Sequence, residues 1–299
     1  FCSFCVVPYT RGAEYSRPGS DILAEASRLA SLGACELTLL DQNVNAYHGA
    51  SPNKNQWGLA ELIYEVARIE PIKRIRYTTS HPRDMTEELI KAHCDVPKLM
   101  PYLHLPVQTG SDRVLQAMNR QHSVKDYVAI IDRLRAKRPD IALSSDFIVG
   151  HPGETEEDFE ATLSLIKAVG YAQAYSFKYS SRPGTPSSAL EDVVPDEIKS
   201  ERLAQIQAVL RKQQQSFNNK FNGHLVPVLF DRRGRQKSQL AGRSPWMQAV
   251  HVDFPDPSAA DTAFGSLGVV RVDAVHPNSL SGVFISNISA AEVLPVGSQ

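Results

Sequence analysis

The chain alternates helix-like and strand-like segments from residue 20 to about residue 186, and no other feature constrains its fold as strongly. Segments with apolar residues at helical spacing occupy 20–33, 58–69, 85–93, 111–120, 123–137 and 155–170. Short segments typical of strands occupy 36–40, 72–79, 102–107, 141–150 and 174–180. Repeated β–α order is typical of a parallel sheet or barrel. With five strands counted and room for one before them, we expect an α/β fold with a partial (β/α)6 barrel.

A second pattern begins after a long polar helix predicted over 195–222. Pro195 near its start and Gly223 just past its end are typical helix boundaries. Beyond it, short alternating runs are separated by Gly, Pro, Asp and Asn, which predicts a small all-β, antiparallel, OB-like barrel. We therefore expect two domains, residues 1–222 and residues 223–296.

Bulk charge and cysteine content limit the class of protein. The formal net charge is −1, so contact with nucleic acid would have to come from local basic patches. No apolar run approaches the roughly 20 residues that cross a bilayer, and no signal peptide opens the chain. Four cysteines argue against a disulfide framework, so a cytoplasmic location is expected.

Cys2 and Cys5 form a CxxC pair that is open to several interpretations. Such a pair occurs in thioredoxin-like redox proteins and in half of a zinc site. The redox interpretation is disfavoured because VVPYTRG follows instead of a regular helix start. Zinc would need a second pair, and Cys35 and Cys94 are too far apart in the sequence to supply one. We interpret those two cysteines as structural.

The run CSFCVVPYTRG at 2–12 resembles the second half of the CxxxCx(aromatic)C motif of radical S-adenosylmethionine (SAM) enzymes, and more narrowly the methylthiotransferase family. The resemblance continues in order through five further runs, at 38–49, 78–85, 101–120, 146–155 and 176–186. Asp41 and His151 depart from the family pattern, which has Gly and Phe at these positions.

The resemblance implies a cofactor set. Cys2 and Cys5 would be two of three ligands of a 4Fe-4S cluster that binds SAM, with the third cysteine three residues before Phe1. The chain is therefore expected to begin inside the motif and to be inactive by itself. The family also carries a second 4Fe-4S cluster, in an amino-terminal domain expected to be missing here.

The resemblance also implies which residues contact the cofactor or substrate, although no catalytic residue is assigned. Most lie at the carboxyl ends of predicted strands, where active sites of such barrels are built. The family motifs place cofactor contacts at Phe4, Gln42, Asn43, Ser80, His81, Gln108, Asp146, Arg182 and Thr185. Ser111 lies on the same rim as Gln108, and Met118 and Arg120 complete the motif of the following helix.

The tail at 223–296 resembles the TRAM domain, a small β-barrel that binds RNA. Phosphate contacts are predicted for Arg232, Arg233, Arg235, Lys237 and Arg243. The alternative for this charge run is a solvated face. Trp246 is either a surface on which a base stacks or a plug of the barrel.

Within the methylthiotransferases, PYTRG, QNVNAY, TSHPRDM and KYSSRPGTP resemble the MiaB type. That type uses SAM to add a methylthio group to carbon 2 of isopentenyladenosine beside the tRNA anticodon. The implied partners are tRNA and an electron donor such as flavodoxin or ferredoxin, with the enzyme monomeric and away from membranes. Relatives acting on threonylcarbamoyladenosine or on a ribosomal-protein aspartate, a non-catalytic RNA-binding module and a thiol redox protein are the alternatives.

Overall fold

The computed structural model describes residues 2–12, 14–53, 55–191 and 193–287. It divides into two compact units. The first comprises Phe1–Pro139 and Leu143–Leu210, and the second comprises Asp140–Ala142 and Arg211–Gln299.

The first unit alternates strands and helices as the sequence predicts. Its strands are β1 (Glu36–Leu40), β2 (Arg74–Thr78), β3 (Tyr102–His104), β4 (Ala142–Val149) and β5 (Gln173–Lys178). Its helices are α1 (Val7–Arg11), α2 (Gly19–Ser31), α3 (Leu59–Ala67), α4 (Glu87–Asp95), α5 (Asp112–Ala117), α6 (Val124–Lys137) and α7 (Glu156–Val169). The long helix α8 (Asp196–Asn219) follows. The five predicted strands and the predicted helices between them are confirmed. Helix α1 was not predicted: it begins two residues after Cys5, where the sequence analysis expected no helix start.

Parallel pairing gives this unit the character of a partial barrel. Strand β1 pairs in parallel with β2, while β3, β4 and β5 form a three-stranded sheet in which β4 and β5 are parallel. A parallel bridge joins Ile75 of β2 to Leu99, just before β3. Parallel strands connected by helices require this crossover arrangement, and the predicted α/β fold class is confirmed.

Strand β4 shows how the two faces of the sheet differ. Phe147 and Val149 are buried, and the Phe147 ring packs edge-on against Tyr171 with centroids 5.4 Å apart. Asp146 and Ile148, on the opposite face, are only half-buried. Successive residues of a strand point to opposite faces, so one face packs into the core while the other lines the inside of the partial barrel.

Capping explains where several helices begin. Thr86 accepts a hydrogen bond from the backbone of Leu89 at the start of α4. Capping boxes start α6 at Ser123 and α7 at Thr155, with Asp126 and Asp158 returning the second hydrogen bond. Each such cap contributes about 1 kcal/mol and sets where the loop after a strand turns into a helix.

The second unit is a closed β-barrel with strand order β10-β8-β7-β6-β9. Its elements are β6 (Leu225–Arg233), β7 (Gln239–Arg243), β8 (Ala249–Asp253), α9 (Pro257–Ala263), β9 (Leu267–Val275) and β10 (Ser279–Asn287). The interior is apolar, with Val226, Val228 and Phe230 fully buried. The predicted small all-β barrel is confirmed, but it is not wholly antiparallel, because β10 and β8 pair in parallel where the barrel closes. The short helix α9, which the sequence analysis did not predict, begins at an Asp256 cap.

Trp246 is buried, with 5% of its surface exposed. Its ring packs on Phe221 with centroids 4.8 Å apart, and its indole N–H donates to the Asp140 carbonyl at 2.8 Å. The interpretation of Trp246 as a base-stacking surface is therefore wrong, because a base needs an exposed ring face.

Candidate functional site

Polar residues cluster at the carboxyl ends of the first three strands. Gln42 and Asn43 follow β1, Ser80 and His81 follow β2, and Gln108 lies four residues beyond β3. Backbone hydrogen bonds hold these ends together. The Val44 N–H donates to the Thr79 carbonyl at 3.0 Å, and the Gln108 N–H donates to the Asp146 carbonyl at 3.0 Å. The structure thus brings the predicted strand-end residues to one rim.

Two residues of this rim have strained backbone. Thr79 has φ 71° and Gln108 has φ 79°, in the left-handed region that residues other than glycine rarely adopt. Such conformations cost about 1–3 kcal/mol each and cluster at functional sites. The strain at Thr79 directly precedes Ser80 and His81, so it sets the direction in which those side chains leave the strand.

The side chain of Asn45 holds the backbone of His81 with two hydrogen bonds. The Asn45 amide donates to the His81 carbonyl at 2.8 Å, and its oxygen accepts the His81 N–H at 2.8 Å. The ring meets His122 edge-on, with centroids 5.4 Å apart. Burial, with the nearby Arg120 guanidinium, lowers the pKa of His81 to about 3 and that of His122 to about 4. Both imidazoles are therefore neutral near pH 7. Nδ1 of His81 accepts the Arg83 N–H at 3.1 Å, so its Nε2 is a donor, whereas Nδ1 of His122 donates to the Arg120 carbonyl at 2.7 Å and its Nε2 is an acceptor.

Several buried polar atoms around this rim have no hydrogen-bond partner in the part of the chain that the structure describes. They are Asn43 Oδ1, Ser80 Oγ, Arg120 Nε and His122 Nε2. Leaving such an atom unpaired costs about 1–3 kcal/mol, and most buried polar groups in proteins are paired. A concentration of unpaired donors and acceptors at a strand-end rim fits a site that binds a small polar ligand.

The CxxC loop lies beside this rim. Cys2 and Cys5 are half-buried free thiols, and the Cys5 N–H donates to the Cys2 carbonyl at 3.2 Å, which closes a turn between them. The buried Arg120 guanidinium lies 3.3 Å from the Cys2 sulfur. Phe4, predicted to contact adenine, is half-buried in the same turn.

Ser3, which follows Cys2, ties the loop to two other segments. Its hydroxyl donates to the Ala117 carbonyl at 2.7 Å and lies 2.7 Å from the Ser187 hydroxyl. The Ser187 hydroxyl is in turn 3.2 Å from Nε2 of His151, which is fully buried. The pattern that this chain resembles has Phe at position 151. His151 therefore makes a polar contact, through Ser187, to the cysteine loop where that pattern has an apolar side chain.

The remaining predicted contacts contribute no unpaired buried atom to the rim. Arg182 is exposed, and the Thr185 hydroxyl is used inside its own turn, where it donates to the Arg182 carbonyl at 2.7 Å. Asp146 lines the inside of the partial barrel, 3.6 Å from Nε2 of His104. The roles of these residues stay predictions. Ser111 caps α5 and donates to the Asp158 carboxylate at 2.5 Å, which is a structural use.

Sequence reasoning missed two residues of this region, His104 and His122, and it missed the contact that a third residue, Arg120, makes there. His104 lies within the run at 101–120 and His122 lies just after it. Nothing in the sequence indicates that His104 contacts Asp146 or that His122 contacts His81. Arg120 was assigned to the motif, yet no sequence signal places its guanidinium on Cys2. All three depend on contacts between segments distant in sequence.

The donor set fits part of what a 4Fe-4S cluster and SAM require. Two thiols in one turn match two of the three thiolates that hold such a cluster. Among the described residues no group of three or more His, Cys, Asp or Glu side chains could hold a metal ion. The unpaired polar atoms of the rim suit the polar groups of a bound SAM.

The second unit carries an open groove of about 1090 Å³ on its barrel surface. The groove is lined by four of the predicted basic residues, Arg232, Arg233, Arg235 and Arg243, whereas Lys237 is outside it. Two histidines that sequence reasoning missed, His251 and His276, also line it. Asp231, Asp253 and Asp273 are among its other lining residues, so the groove is not uniformly basic.

The groove arginines differ in how freely they can bind a ligand. Arg232 is 64% exposed, and its closest carboxylate, Asp231, is 4.0 Å away. Arg233 pairs with Asp261 at 2.5 Å and stacks over Phe264, with its guanidinium carbon 4.7 Å from the ring centroid. Arg243 donates to the Met247 carbonyl at 3.1 Å. Exposed ion pairs are weak, so a phosphate can displace Asp261 from Arg233 at small cost.

Comparison with known proteins decides the family. The family model described as the radical SAM superfamily matches residues 1–166, which contain the CxxC turn and the strand-end rim. The chain belongs to the radical SAM superfamily. In this superfamily member, no helix of the described residues combines the length and apolar character needed to cross a membrane.

A curated relative narrows the resemblance. This chain is 57% identical over 286 residues to the tRNA-2-methylthio-N(6)-dimethylallyladenosine synthase of Maricaulis maris (strain MCS10), an alignment that covers 94% of this chain. The chain spans 62% of the length of that relative. The predicted resemblance to the MiaB-type methylthiotransferases is thereby confirmed.

Solved structures agree on the fold. Two structures of the radical SAM methyltransferase TsrM from Kitasatospora setae each match with a TM-score of 0.50 over 62% of this chain. One has cobalamin and a 4Fe-4S cluster bound, and the other has tryptophan substrate and the SAM analogue aza-SAM bound. The matches cover 36% and 35% of TsrM at 19% and 20% identity, so they bear on the fold of the radical SAM unit alone.

Proposed function

We propose that this radical SAM chain serves a tRNA methylthiotransferase that adds a methylthio group to carbon 2 of isopentenyladenosine. The observation that carries the proposal is the turn of two half-buried thiols beside a rim of unpaired buried polar atoms. The 57% identical relative is a tRNA-2-methylthio-N(6)-dimethylallyladenosine synthase, and the proposed reaction is taken from it. On this proposal residues 1–222 form the radical SAM core and residues 223–296 a TRAM domain.

Cys2 and Cys5 would hold two irons of a 4Fe-4S cluster, and a third thiolate would complete the ligand set. When bound, the cluster supplies the electron that cleaves SAM reductively. A second 4Fe-4S cluster, held outside this chain, would serve the sulfur insertion.

The rim residues would bind and orient SAM. Neutral His122 offers an acceptor at Nε2, while Ser80, Arg120 and the Nε2–H of His81 offer donors in a site already shaped by the strained Thr79. Because these groups are held before the ligand arrives, little reorganisation is needed when it binds. Gln42, Asn43 and Gln108 share the rim and stay predicted contacts, as do Phe4, Asp146, Arg182 and Thr185.

The barrel groove would bind the tRNA backbone through Arg232, Arg233, Arg235 and Arg243, with Lys237 adding charge nearby. Phosphate contacts position an RNA without reading its sequence. The target base would have to leave its stack to reach the rim of the barrel. We also infer a monomeric cytoplasmic enzyme that takes electrons from a flavodoxin or ferredoxin.

Two measurements test the proposal. The first uses the full chain with a Cys-X-X extension before Phe1, loaded anaerobically with iron and sulfide. With SAM and dithionite it should release 5′-deoxyadenosine, which liquid chromatography detects. Loading of the cluster without SAM cleavage would refute the enzyme interpretation and favour a non-catalytic RNA-binding module.

The second measurement identifies the substrate. The chain is joined to the part of the Maricaulis maris relative that it does not cover, and the product is mixed with tRNA carrying isopentenyladenosine. Mass spectrometry of the nucleosides should show the mass of one added methylthio group. Modification of threonylcarbamoyladenosine tRNA instead would establish the alternative substrate, and modification of neither would contradict the proposal.

A further inference from the structure

Arg120 is anchored behind the CxxC turn. Only 5% of its surface is exposed, and it lies three residues beyond the end of α5. One guanidinium nitrogen donates to the Pro106 carbonyl at 2.5 Å, and the other lies 3.3 Å from the Cys2 sulfur. A planar guanidinium held by one nitrogen has little freedom, so the other nitrogen is directed at the sulfur.

The charge of Arg120 is not balanced by a carboxylate. Within the described ranges Arg120 takes part in no ion pair, and its Nε has no acceptor. Arg202, another buried arginine of the same unit, pairs with Glu154 and Glu156 at 2.7 and 2.9 Å. A buried cation without a counterion is costly, and a metal-bound thiolate at Cys2 would supply the missing negative charge.

We propose that Arg120 is a positioning residue that donates a charge-assisted hydrogen bond to the Cys2 sulfur and raises the reduction potential of the cluster. This rests on the cluster of the proposed function. The couple takes up one electron on the cluster, and no bond forms or breaks. A fixed positive charge beside a ligand sulfur stabilises the reduced form, which carries one more negative charge.

Ser187 offers a matched control on the same loop. Its hydroxyl lies 2.7 Å from the Ser3 hydroxyl, and its backbone N–H donates to the Ser3 carbonyl at 3.0 Å. Ser187→Ala removes a neutral contact of the loop and changes no charge. Loss of loop rigidity and loss of charge can therefore be separated.

The test uses the full chain with the Cys-X-X extension, loaded anaerobically with iron and sulfide. Electron paramagnetic resonance during a dithionite titration gives the midpoint potential. Arg120→Met should lower the equilibrium constant for reduction at least tenfold, which is 59 mV for a one-electron couple. Arg120→Lys should recover at least half of that shift. Ser187→Ala should leave the potential within about 15 mV of the parent, which is less than a twofold change in the equilibrium constant for reduction.

A further variant guards against failure of the Met protein to fold. Arg120→Gln keeps a hydrogen-bond donor and removes the charge, so it should shift the potential in the same direction. An unchanged potential in both neutral variants, or an equal shift in Ser187→Ala, would overturn the inference. If the chain joined to the uncovered part of the Maricaulis maris relative has an Arg120-dependent potential but leaves isopentenyladenosine tRNA unmodified, the proposed function is refuted and this inference stands.

Discussion

The two units of this chain treat polar groups in opposite ways. The radical SAM unit buries Ser80 and Arg120 and half-buries His122 at the rim of its partial barrel, and it leaves a buried polar atom of each without a partner among the described residues. The second unit keeps its interior apolar and places its charges on an open groove. The first arrangement suits a small ligand that replaces missing hydrogen bonds, and the second suits a polyanion bound through screened charges.

The energetic consequences differ accordingly. Unpaired buried groups cost stability until a ligand satisfies them, so the radical SAM unit should gain stability on loading. The exposed groove costs little to maintain, because water solvates its arginines.

Removal of one cluster ligand should abolish the visible absorbance of the loaded radical SAM unit. We expect this for Cys5→Ala in the chain with the Cys-X-X extension, because two thiolates cannot hold the cluster. Cys94→Ala is the control, since Cys94 is exposed on α4. Retained absorbance in Cys5→Ala, or its loss in Cys94→Ala, would show the ligand assignment to be wrong.

Breaking the buried ion pair of the radical SAM unit should be strongly destabilising. Arg202 and Glu154 are 2.7 Å apart, with 7% and 3% of their side chains exposed. Burial already raises the pKa of Glu154, and Arg202→Ala would leave that carboxylate uncompensated. We expect a loss of about 3–5 kcal/mol in chemical denaturation.

A matched exposed pair supplies the control for that measurement. Arg133 pairs with Glu87 on the surface, where both side chains are about half exposed. Arg133→Ala should change the free energy of unfolding by less than about 1 kcal/mol. Equal losses in the two variants would contradict the claim that burial makes the first pair critical.

Acidification should destabilise the radical SAM unit before the second unit. Burial lowers the pKa of His93 and of His81 to about 3, below the value of about 6.5 in an unfolded chain. Stability is therefore fully present above pH 6.5 and falls as the pH drops toward 3, by up to about 1.4 kcal/mol per pH unit for each group.

Calorimetry between pH 7 and pH 4 checks this, because the two units should give separate transitions. The histidines of the second unit, His224, His251 and His276, are exposed or half-buried, so its transition should move less. His93→Gln, which replaces the partner of the Tyr77 hydroxyl 2.6 Å away, should reduce the pH dependence of the first transition. A second unit that unfolds first on acidification would reverse the contrast.

Charge reversal in the groove should have the smallest effect. Glu at Arg232, Arg233 and Arg235 should weaken tRNA binding about tenfold or more, and each lost phosphate contact should reduce the salt slope by about 0.7–0.9. Arg271→Glu, on an exposed position of the same barrel outside the groove, is the control. An unchanged tRNA affinity in the triple variant would remove the groove from the proposed function.

Much of the fold could be predicted because its signals are local. Apolar spacing and caps such as Thr155 mark helices, and alternation marks strands such as β8 and β9. The strand-end residues Gln42, Ser80 and Gln108 could be grouped because parallel strands bring their carboxyl ends to one edge. The two interpretations of Trp246 could not be separated, because a single aromatic residue beside a turn gives no sign of what packs on it.

The sequence by itself determined the order of elements, the two cysteines of the turn and the basic run of the second unit. Only the tertiary structure decided that Arg120 meets Cys2 across 118 residues and that His151 reaches the same loop through Ser187. It also decided the neutral state of His81. The physical reason is that side-chain direction and burial depend on long-range contacts and on strained backbone at Thr79 and Gln108, which no local pattern encodes.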